Sequence, residues 1–172
     1  MINFIVEEEV DLPKYGTKRA SGMDVTAHKI LKVFRGDREI DPENLKKVQQ
    51  GFEERGYIKL RSLERILFGT GVKAVLPNNV ELQVRPRSGV TLKRGLTVLN
   101  SPGTVDEDYT GEIGVIIYNS TPFLNKVEKG ERIAQIVPAN VLRLPVGRAG
   151  IDAISEDEEG RGSLGFGSTG TK

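Results

Sequence analysis

The amino-acid sequence predicts an all-β fold, a barrel or a sandwich, and three observations carry this prediction. Short apolar stretches recur along most of the chain, as expected of strands. Gly, Pro and Asn residues separate these stretches at positions that suit turns. Few segments have the spacing of apolar residues that a helix requires. With 37% hydrophobic and 28% charged residues among 172, the composition is that of one globular domain.

The predicted strands are the apolar stretches themselves, taken in chain order. They cover residues 2–6, 57–68, 72–76, 80–84, 96–99, 113–118, 132–137 and 141–144. Turn signals between them include Pro77-Asn78-Asn79, Pro86, Pro102-Gly103 and Lys129-Gly130.

One segment has a helical pattern instead. Asp41 is a good N-cap residue, and Pro42 suits the first helical position. Leu45, Val48 and Phe52 then recur at helical spacing, and a glycine at position 56 can end the helix. The pattern predicts a helix over about residues 42–55, on the surface of the β-domain.

The strand pattern stops at about residue 147. An acidic run over residues 156–159 then leads into a segment rich in Gly and Ser. We therefore expect a β-domain over residues 1–146 and a flexible C-terminal arm over residues 147–172. At about 3.3 Å per residue, residues 145–172 are long enough to reach a neighbouring subunit.

Composition excludes several classes of function. The net charge is +1, with 25 basic and 24 acidic residues spread along the chain, so we expect no binding to polymeric nucleic acid. The absence of cysteine excludes disulfides, Cys-based zinc sites and a thiol nucleophile. No apolar run approaches the roughly 18 residues of a membrane span, and the first residues do not resemble a signal peptide. These features predict a cytoplasmic protein, and they assign no role to the single histidine, His28.

Residues 103–112 place acidic side chains, an aromatic ring and glycines between two apolar runs, which is typical of a hairpin. A carboxylate at such a turn can accept a proton from water, and a nearby aromatic face can pack on a ring-shaped ligand. The alternative is an ordinary acidic hairpin loop.

Two further segments have the composition of phosphate-binding sites. Residues 85–89 end a predicted strand with a guanidinium, a hydroxyl and a glycine, the groups that bind phosphate oxygens. Lys93 and Arg94 either continue this site or are simply solvated. Residues 161–170 intersperse an arginine, a phenylalanine and hydroxyl groups among glycines, so this segment either binds a polyphosphate and stacks on a base or is a disordered linker.

Together these segments resemble the ordered motifs of the trimeric dUTPase family, over essentially the whole chain except a helical insertion at about residues 32–56. The first motif matches residues 20–27, and the second matches 86–90 with Lys93 and Gly95. The third matches 100–112, the fourth 130–136, and the fifth the glycine-rich tail. The resemblance implies a jelly-roll-like β-barrel and a homotrimer whose active sites combine motifs from different subunits, with the tail closing each site.

The activity implied by the resemblance is hydrolysis of dUTP to dUMP and pyrophosphate. This reaction limits uracil incorporation into DNA and supplies dUMP for thymidylate synthesis. Asp106 matches the general base that activates the water attacking the α-phosphate. Tyr109 matches the residue that packs on the deoxyribose and rejects UTP. Asn100 matches the side chain that reads the uracil edge together with hairpin backbone groups, here those of Gly103 and Val105.

The resemblance also assigns the phosphate side of the site. Ser88 matches a residue near the bond that is cleaved, and Arg87, Gly89 and Gln135 match phosphate contacts. Asp24 matches an acidic residue near the reaction centre. For two of these residues a structural role is the alternative to a role in the site: Asp24 would stabilise a loop, and Gln135 would satisfy buried backbone groups.

In the tail, Arg161 matches the residue that binds the γ-phosphate and Phe166 the one that covers the uracil. Gly167, Ser168 and Thr169 match further substrate contacts, whereas Leu164 replaces a glycine common in the family. The implied cofactor is Mg²⁺, held on the substrate phosphates through waters and without a direct protein ligand.

Two alternative functions fit part of the sequence. The dCTP deaminases share the fold, but their deaminating glutamate lies in the strand after the third motif, where this chain has Ile116. Deaminase activity is therefore not expected. The second alternative is a binding role, with a protein partner at the helical insertion.

Overall fold

A computed structural model of the chain describes residues 1–150, which are mainly strands. In chain order the elements are β1 (Asn3–Val6), β2 (Met23–Thr26), β3 (Lys29–Arg35), β4 (Arg38–Glu39), α1 (Pro42–Arg55), β5 (Tyr57–Leu60), β6 (Arg65–Gly69), β7 (Val72–Val75), β8 (Val80–Pro86), α2 (Ser88–Arg94), β9 (Leu96–Val98), β10 (Gly103–Val105), β11 (Gly114–Asn119), β12 (Asn125–Glu128) and β13 (Arg132–Asn140). The predicted all-β class is confirmed.

The strands form open antiparallel sheets. The larger two have the orders β10-β8-β13-β2 and β4-β3-β6-β11-β9, and two smaller sheets pair β1 with β7 and β12 with β5. Within residues 1–150, no sheet closes into the expected barrel, because each of the larger sheets ends in two edge strands.

The core lies between the sheets and is built from alternate residues of their strands. Along β11, Val115 and Ile117 are buried and alternate with partly exposed residues. Phe68 of β6, Val84 of β8 and Ile136 of β13 add to the same core. Burial of each such side chain contributes about 1.5–3 kcal/mol, so the alternation fixes which face of each strand points inward.

Helix α1 has the predicted bounds. The Asp41 carboxylate caps it by accepting from the Asn44 backbone N–H at 3.0 Å, and Gly56 ends it with a φ of 71°. Phe52 is fully buried, with its ring centroid 6.1 Å from that of Phe68. The Gln49 side chain also accepts from the backbone N–H of Ile30 in β3, at 2.7 Å. The helix therefore lies on the surface of the β-domain, as predicted, and packs one face into the core through Phe52.

Several predicted elements were wrong or missing. The predicted strand over 57–68 is two strands, separated by a turn in which Leu63 has a φ of 60°. Helix α2 was not predicted, since it is short and contains Gly89, Val90 and Thr91, which are weak helix formers. Strands β2, β4, β10 and β12 were also missed, because they are short. Strand β3 was missed because a β-bulge between Ile30 and Lys32 interrupts the alternation of apolar and polar residues.

The chain divides into two compact units, Met1–Val141 and Leu142–Lys172. The described part of the second, residues 142–150, has no helix or strand and is exposed. The predicted strand over 141–144 is therefore wrong. Asn140 ends β13 opposite Val80, the first residue of β8, so no further residue of β8 is available to pair with Leu142 or Leu144.

Candidate active site

One cavity, of about 480 Å³, gathers the residues predicted to contact phosphates. It is lined by Asp24, Arg87, Ser88, Gly89, Val90, Lys93, Arg94 and Gln135. Three cationic side chains and a single carboxylate line it, so its charge suits an anion such as a polyphosphate. We call it the phosphate-side cavity.

Strand pairing brings these residues together. In the sheet, Gln135 of β13 lies opposite Asp24 of β2 on one side and Arg85 of β8 on the other. The Gln135 side chain donates to the carbonyl of Pro86 at 2.9 Å. This bond is consistent with the alternative role in which Gln135 satisfies a backbone group. A Cβ on Gly22 would lie 2.5 Å from the Gln135 amide oxygen, so a glycine there leaves room for this side chain.

Asp24 lies between two arginines. Its Oδ1 accepts from Arg87 Nε at 2.8 Å, and its Oδ2 accepts from Arg132 Nη1 at 3.3 Å. Arg87 also donates to the backbone carbonyl of Arg132 at 3.2 Å. These bonds fix the guanidinium of Arg87 beside the phosphate-side cavity. Arg132 lies within the fourth motif but was not predicted as a site residue, because no local pattern indicates its contact with Asp24.

Helix α2 carries the opposite side of this cavity. Ser88 is its first residue and is exposed. The C-terminal end is held by the segment that follows β11, because the side chain of Asn125 donates to the carbonyl of Arg94 at 3.1 Å and that of Ser120 to the carbonyl of Gly95 at 2.7 Å. Arg94 is also bound to Glu131, whereas Lys93 is exposed at the cavity.

A second cavity, of about 330 Å³, gathers the residues predicted to bind the base and the sugar. We call it the hairpin cavity. Its polar lining residues are Asn100, Thr104, Asp106, Tyr109 and Glu112. The other lining residues are apolar or glycine: Leu31, Leu67, Val84, Gly103, Val105, Ile113, Gly114 and Ile116.

The hairpin itself is tightly organised. The Tyr109 hydroxyl donates to the carbonyl of Glu112 at 2.9 Å, and the Tyr109 N–H donates to the carbonyl of Asp106 at 3.2 Å. The ring lies so close to Gly111 that a Cβ there would overlap the phenol group. A Cβ on Gly103 would likewise lie 3.0 Å from the Asn100 amide nitrogen. Asp106 is exposed at the turn, where water can reach it.

The two cavities share no lining residue. Val105 pairs with Leu82, near the start of β8, whereas Ser88 follows the far end of that strand. The stretch from Leu82 to Pro86 alone spans about 13 Å at roughly 3.3 Å per residue. Asp106 and Ser88 of one chain are therefore too far apart to act on the same phosphate.

The predicted tail residues Arg161, Phe166, Gly167, Ser168 and Thr169 lie outside the described residues. Within residues 1–150, no group of three or more His, Cys, Asp or Glu side chains could hold a metal ion. In the same range, no helix is long and apolar enough to cross a membrane.

Comparisons with known proteins agree on one family. The dUTPase family model matches residues 54–170. A deoxyuridine 5'-triphosphate nucleotidohydrolase of Fusobacterium nucleatum is 40% identical over 169 residues, covering 98% of this chain and 96% of that protein.

Among solved structures, a mutant dUTPase of Staphylococcus bacteriophage 80alpha with dUpNHpp has a TM-score of 0.70 at 20% identity, covering 99% of this chain and 98% of that one. A mutant dUTPase from phage phi11 of S. aureus, which coordinates a structural Mg(II) ion, has a TM-score of 0.63 at 15% identity, covering 87% and 96%. At these identities the two structures support the fold.

Proposed function

The chain belongs to the dUTPase family and hydrolyses dUTP to dUMP and pyrophosphate, and on this premise we propose that Asp106 is the base that activates the attacking water. The observation that carries the proposal is the exposed Asp106 carboxylate in the hairpin cavity, beside Asn100 and Tyr109. Asp106 takes a proton from water as the water oxygen bonds to the α-phosphorus. The bond from that phosphorus to the bridging oxygen breaks, and pyrophosphate leaves.

We propose that the hairpin selects the base and the sugar. Asn100 and the backbone near Gly103 and Val105 read the polar edge of uracil, since they line one side of the hairpin cavity. Tyr109 packs on the deoxyribose and leaves no space for a 2′-hydroxyl. Discrimination of this kind needs a rigid wall, and the hydrogen bond from Tyr109 to Glu112 supports one.

The phosphate-side cavity binds the triphosphate in this proposal. Arg87 and Lys93 supply positive charge, Ser88 supplies a hydroxyl near the α-phosphate, and Gly89 allows the backbone to approach closely. Asp24 holds Arg87 in place. Gln135 lines the same cavity. Its side-chain amide binds a substrate phosphate after releasing its hydrogen bond to the carbonyl of Pro86.

The active protein is a homotrimer in this proposal, and each site combines two or more subunits. The separation of Asp106 from Ser88 along β8 supports this arrangement, because one substrate needs both. The hairpin cavity of one subunit then meets the phosphate-side cavity of another. Residues 147–172 form the arm that completes the site with Arg161, Phe166, Gly167, Ser168 and Thr169.

Mg²⁺ is the proposed cofactor. The donor set fits an ion held mainly by substrate oxygens, because Asp24 is the single carboxylate of the phosphate-side cavity and both its oxygens already bind arginines. Bound there, Mg²⁺ would neutralise charge on the phosphates. Action in the cytoplasm stays a prediction, as does a protein partner at α1.

The deaminase alternative finds no support in the hairpin cavity. Ile116 lies in its wall at the position where a deaminase carries its glutamate, so this wall has no proton-transfer group there.

The test is Mg²⁺-dependent pyrophosphate release from dUTP, with dCTP, dTTP and UTP measured in parallel. We expect release from dUTP alone and a fall in kcat of at least about 100-fold for Asp106→Asn. Full activity of this variant would reject Asp106 as the base. Ammonia release from dCTP would revive the deaminase alternative.

A further inference from the structure

A cluster of charged groups lies at the base of the substrate hairpin, outside the described cavities except for one member. Lys29 Nζ lies 2.5 Å from Glu7 Oε1 and 3.0 Å from Glu112 Oε2. The other oxygen of Glu112 accepts from the backbone N–H of Gly71 at 2.6 Å. The Glu112 carboxylate is thus held by a cation on one oxygen and by the backbone on the other.

This cluster is more sheltered than an ordinary surface ion pair. The side chain of Lys29 is 27% exposed and that of Glu112 is 16% exposed. Both lie against Gly69, where a Cβ would be 2.6 Å from Glu112 Oε1 and 2.9 Å from Lys29 Cγ. Partial burial reduces screening by solvent, and the close packing leaves the two side chains little freedom.

The cluster is connected to the substrate hairpin through one residue. Glu112 binds Lys29 and Gly71 with its carboxylate, and its own backbone carbonyl accepts from the Tyr109 hydroxyl at 2.9 Å. Moving the Glu112 side chain would therefore move the acceptor that orients the Tyr109 ring. The chain of contacts runs from Lys29 to Tyr109 in two steps.

We propose that Lys29 is a positioning residue for sugar selectivity, which acts by holding Glu112 and thereby fixing Tyr109. The proposal rests on the proposed function, in which Tyr109 packs on the deoxyribose. Lys29 lies outside the segments that resemble the dUTPase motifs. Lys29 does not touch substrate in this role.

The experiment compares kcat and KM for dUTP and for UTP in the wild type, Lys29→Met and Lys29→Arg. We expect Lys29→Met to lower the preference for dUTP over UTP by about tenfold, through a higher KM for dUTP and a lower KM for UTP, because a displaced ring packs less well on the deoxyribose and leaves space for a 2′-hydroxyl. Lys29→Arg should restore most of the preference, because it keeps the positive charge. An unchanged preference in Lys29→Met would overturn the proposal.

Lys129→Met is the matched control. Lys129 is 28% exposed and pairs with Glu53 of α1, so the same substitution removes an ion pair of similar exposure in which neither Glu112 nor Tyr109 takes part. We expect it to leave the dUTP preference unchanged. An equal loss of preference in both variants would mean a general effect on folding and would also overturn the proposal.

Two measurements keep the test decisive. If Lys29→Met does not fold, Glu112→Gln replaces it, since the amide oxygen still accepts from Gly71 while the ion pair is lost. An unchanged preference for dUTP in Glu112→Gln rejects the positioning role of Lys29.

If the wild type does not hydrolyse dUTP, the proposed function fails separately. Hydrogen exchange of residues 103–114 then tests the positioning role of Lys29. If Lys29 holds Glu112 and Tyr109 in place, exchange should be faster in Lys29→Met than in Lys129→Met, and equal rates would reject the proposal.

Discussion

Asp24 lies on β2 and Arg87 directly precedes α2, far apart in the sequence, and their side chains meet at 2.8 Å beside the phosphate-side cavity. Their side chains are 31% and 28% exposed, so the ion pair contributes about 0–1 kcal/mol to stability. Its importance therefore lies in orientation, because the carboxylate holds a guanidinium that a flexible side chain would otherwise leave free.

The first prediction concerns this pair. Asp24→Asn keeps the shape of the side chain but removes the charge that binds Arg87 and Arg132. We expect the KM for dUTP to rise about tenfold, with a change in thermal unfolding of only a few degrees. Steady-state kinetics and thermal melts measure both. A large loss of stability with an unchanged KM would instead support the view that Asp24 holds loop structure.

A second prediction concerns Gly111. In Gly111→Ala, the new methyl group would overlap the phenol group of Tyr109 and displace its ring. We expect the preference for dUTP over UTP to fall by about tenfold or more. Gly16→Ala is the control, since a Cβ there meets no atom within 4 Å. Equal selectivity in the two variants would contradict the proposed contact of Tyr109 with the sugar.

Shared active sites give a third prediction. Asp106→Asn and Ser88→Ala each inactivate a different half of the site, and the halves come from different subunits in the proposed trimer. Co-refolding the two inactive variants should produce mixed trimers with some complete sites, and hence activity well above that of either variant alone. Activity that never exceeds the sum of the separate variants would argue that one chain supplies both residues.

The fourth prediction is a pH dependence of stability. The hydrogen bond from Lys29 lowers the pKa of Glu7 below its ordinary value of 4.5, helped by the nearby His28. Burial alone would lower the pKa of Lys29, but its hydrogen bonds to Glu7 and Glu112 outweigh this and raise that pKa above 10.5. A lowered carboxylate pKa stabilises the fold above the unfolded value, and a raised lysine pKa stabilises it below the unfolded value.

Glu7→Gln should therefore be less stable than the wild type between about pH 4.5 and 10.5, and the difference should vanish as the pH falls through the lowered pKa of Glu7. Thermal unfolding from pH 3 to 8 measures the acid side of this window. Glu8→Gln removes a neighbouring exposed carboxylate and serves as the control. A difference that persists undiminished at about pH 3 would show that Glu7 acts through packing rather than charge.

Local sequence signals predicted α1 well because its start and end are encoded nearby. Asp41, Pro42 and Gly56 specify the two ends by short-range geometry, and Phe52 specifies the buried face. Helix α2 has a C-cap glycine, Gly95, but no signal at its start, since the side chain of Arg87 makes no capping bond. Its end is also held by Ser120 and Asn125, which lie far along the chain. Tertiary contacts of this kind cannot be predicted from local pattern.

The candidate site was predicted in part. Family resemblance singled out residues that the structure gathers into two cavities, such as Ser88 with Gln135 and Asp106 with Tyr109. The separation of these cavities could not be predicted, because it depends on the register of β10 against β8. Lys29 and Arg132 were not singled out, since an ion pair between residues far apart in the sequence leaves no local pattern.

The packing of helix α1 determines which of its positions can change in evolution. Phe52 fills space against Phe68, and Gln49 satisfies a backbone N–H of β3, so the segment supports the fold of the β-domain. Its loss would expose apolar surface and leave a donor unbonded, and we expect selection to preserve it for folding alone. Its outward face remains free to vary, so new surface properties can arise there through single substitutions without loss of the enzyme.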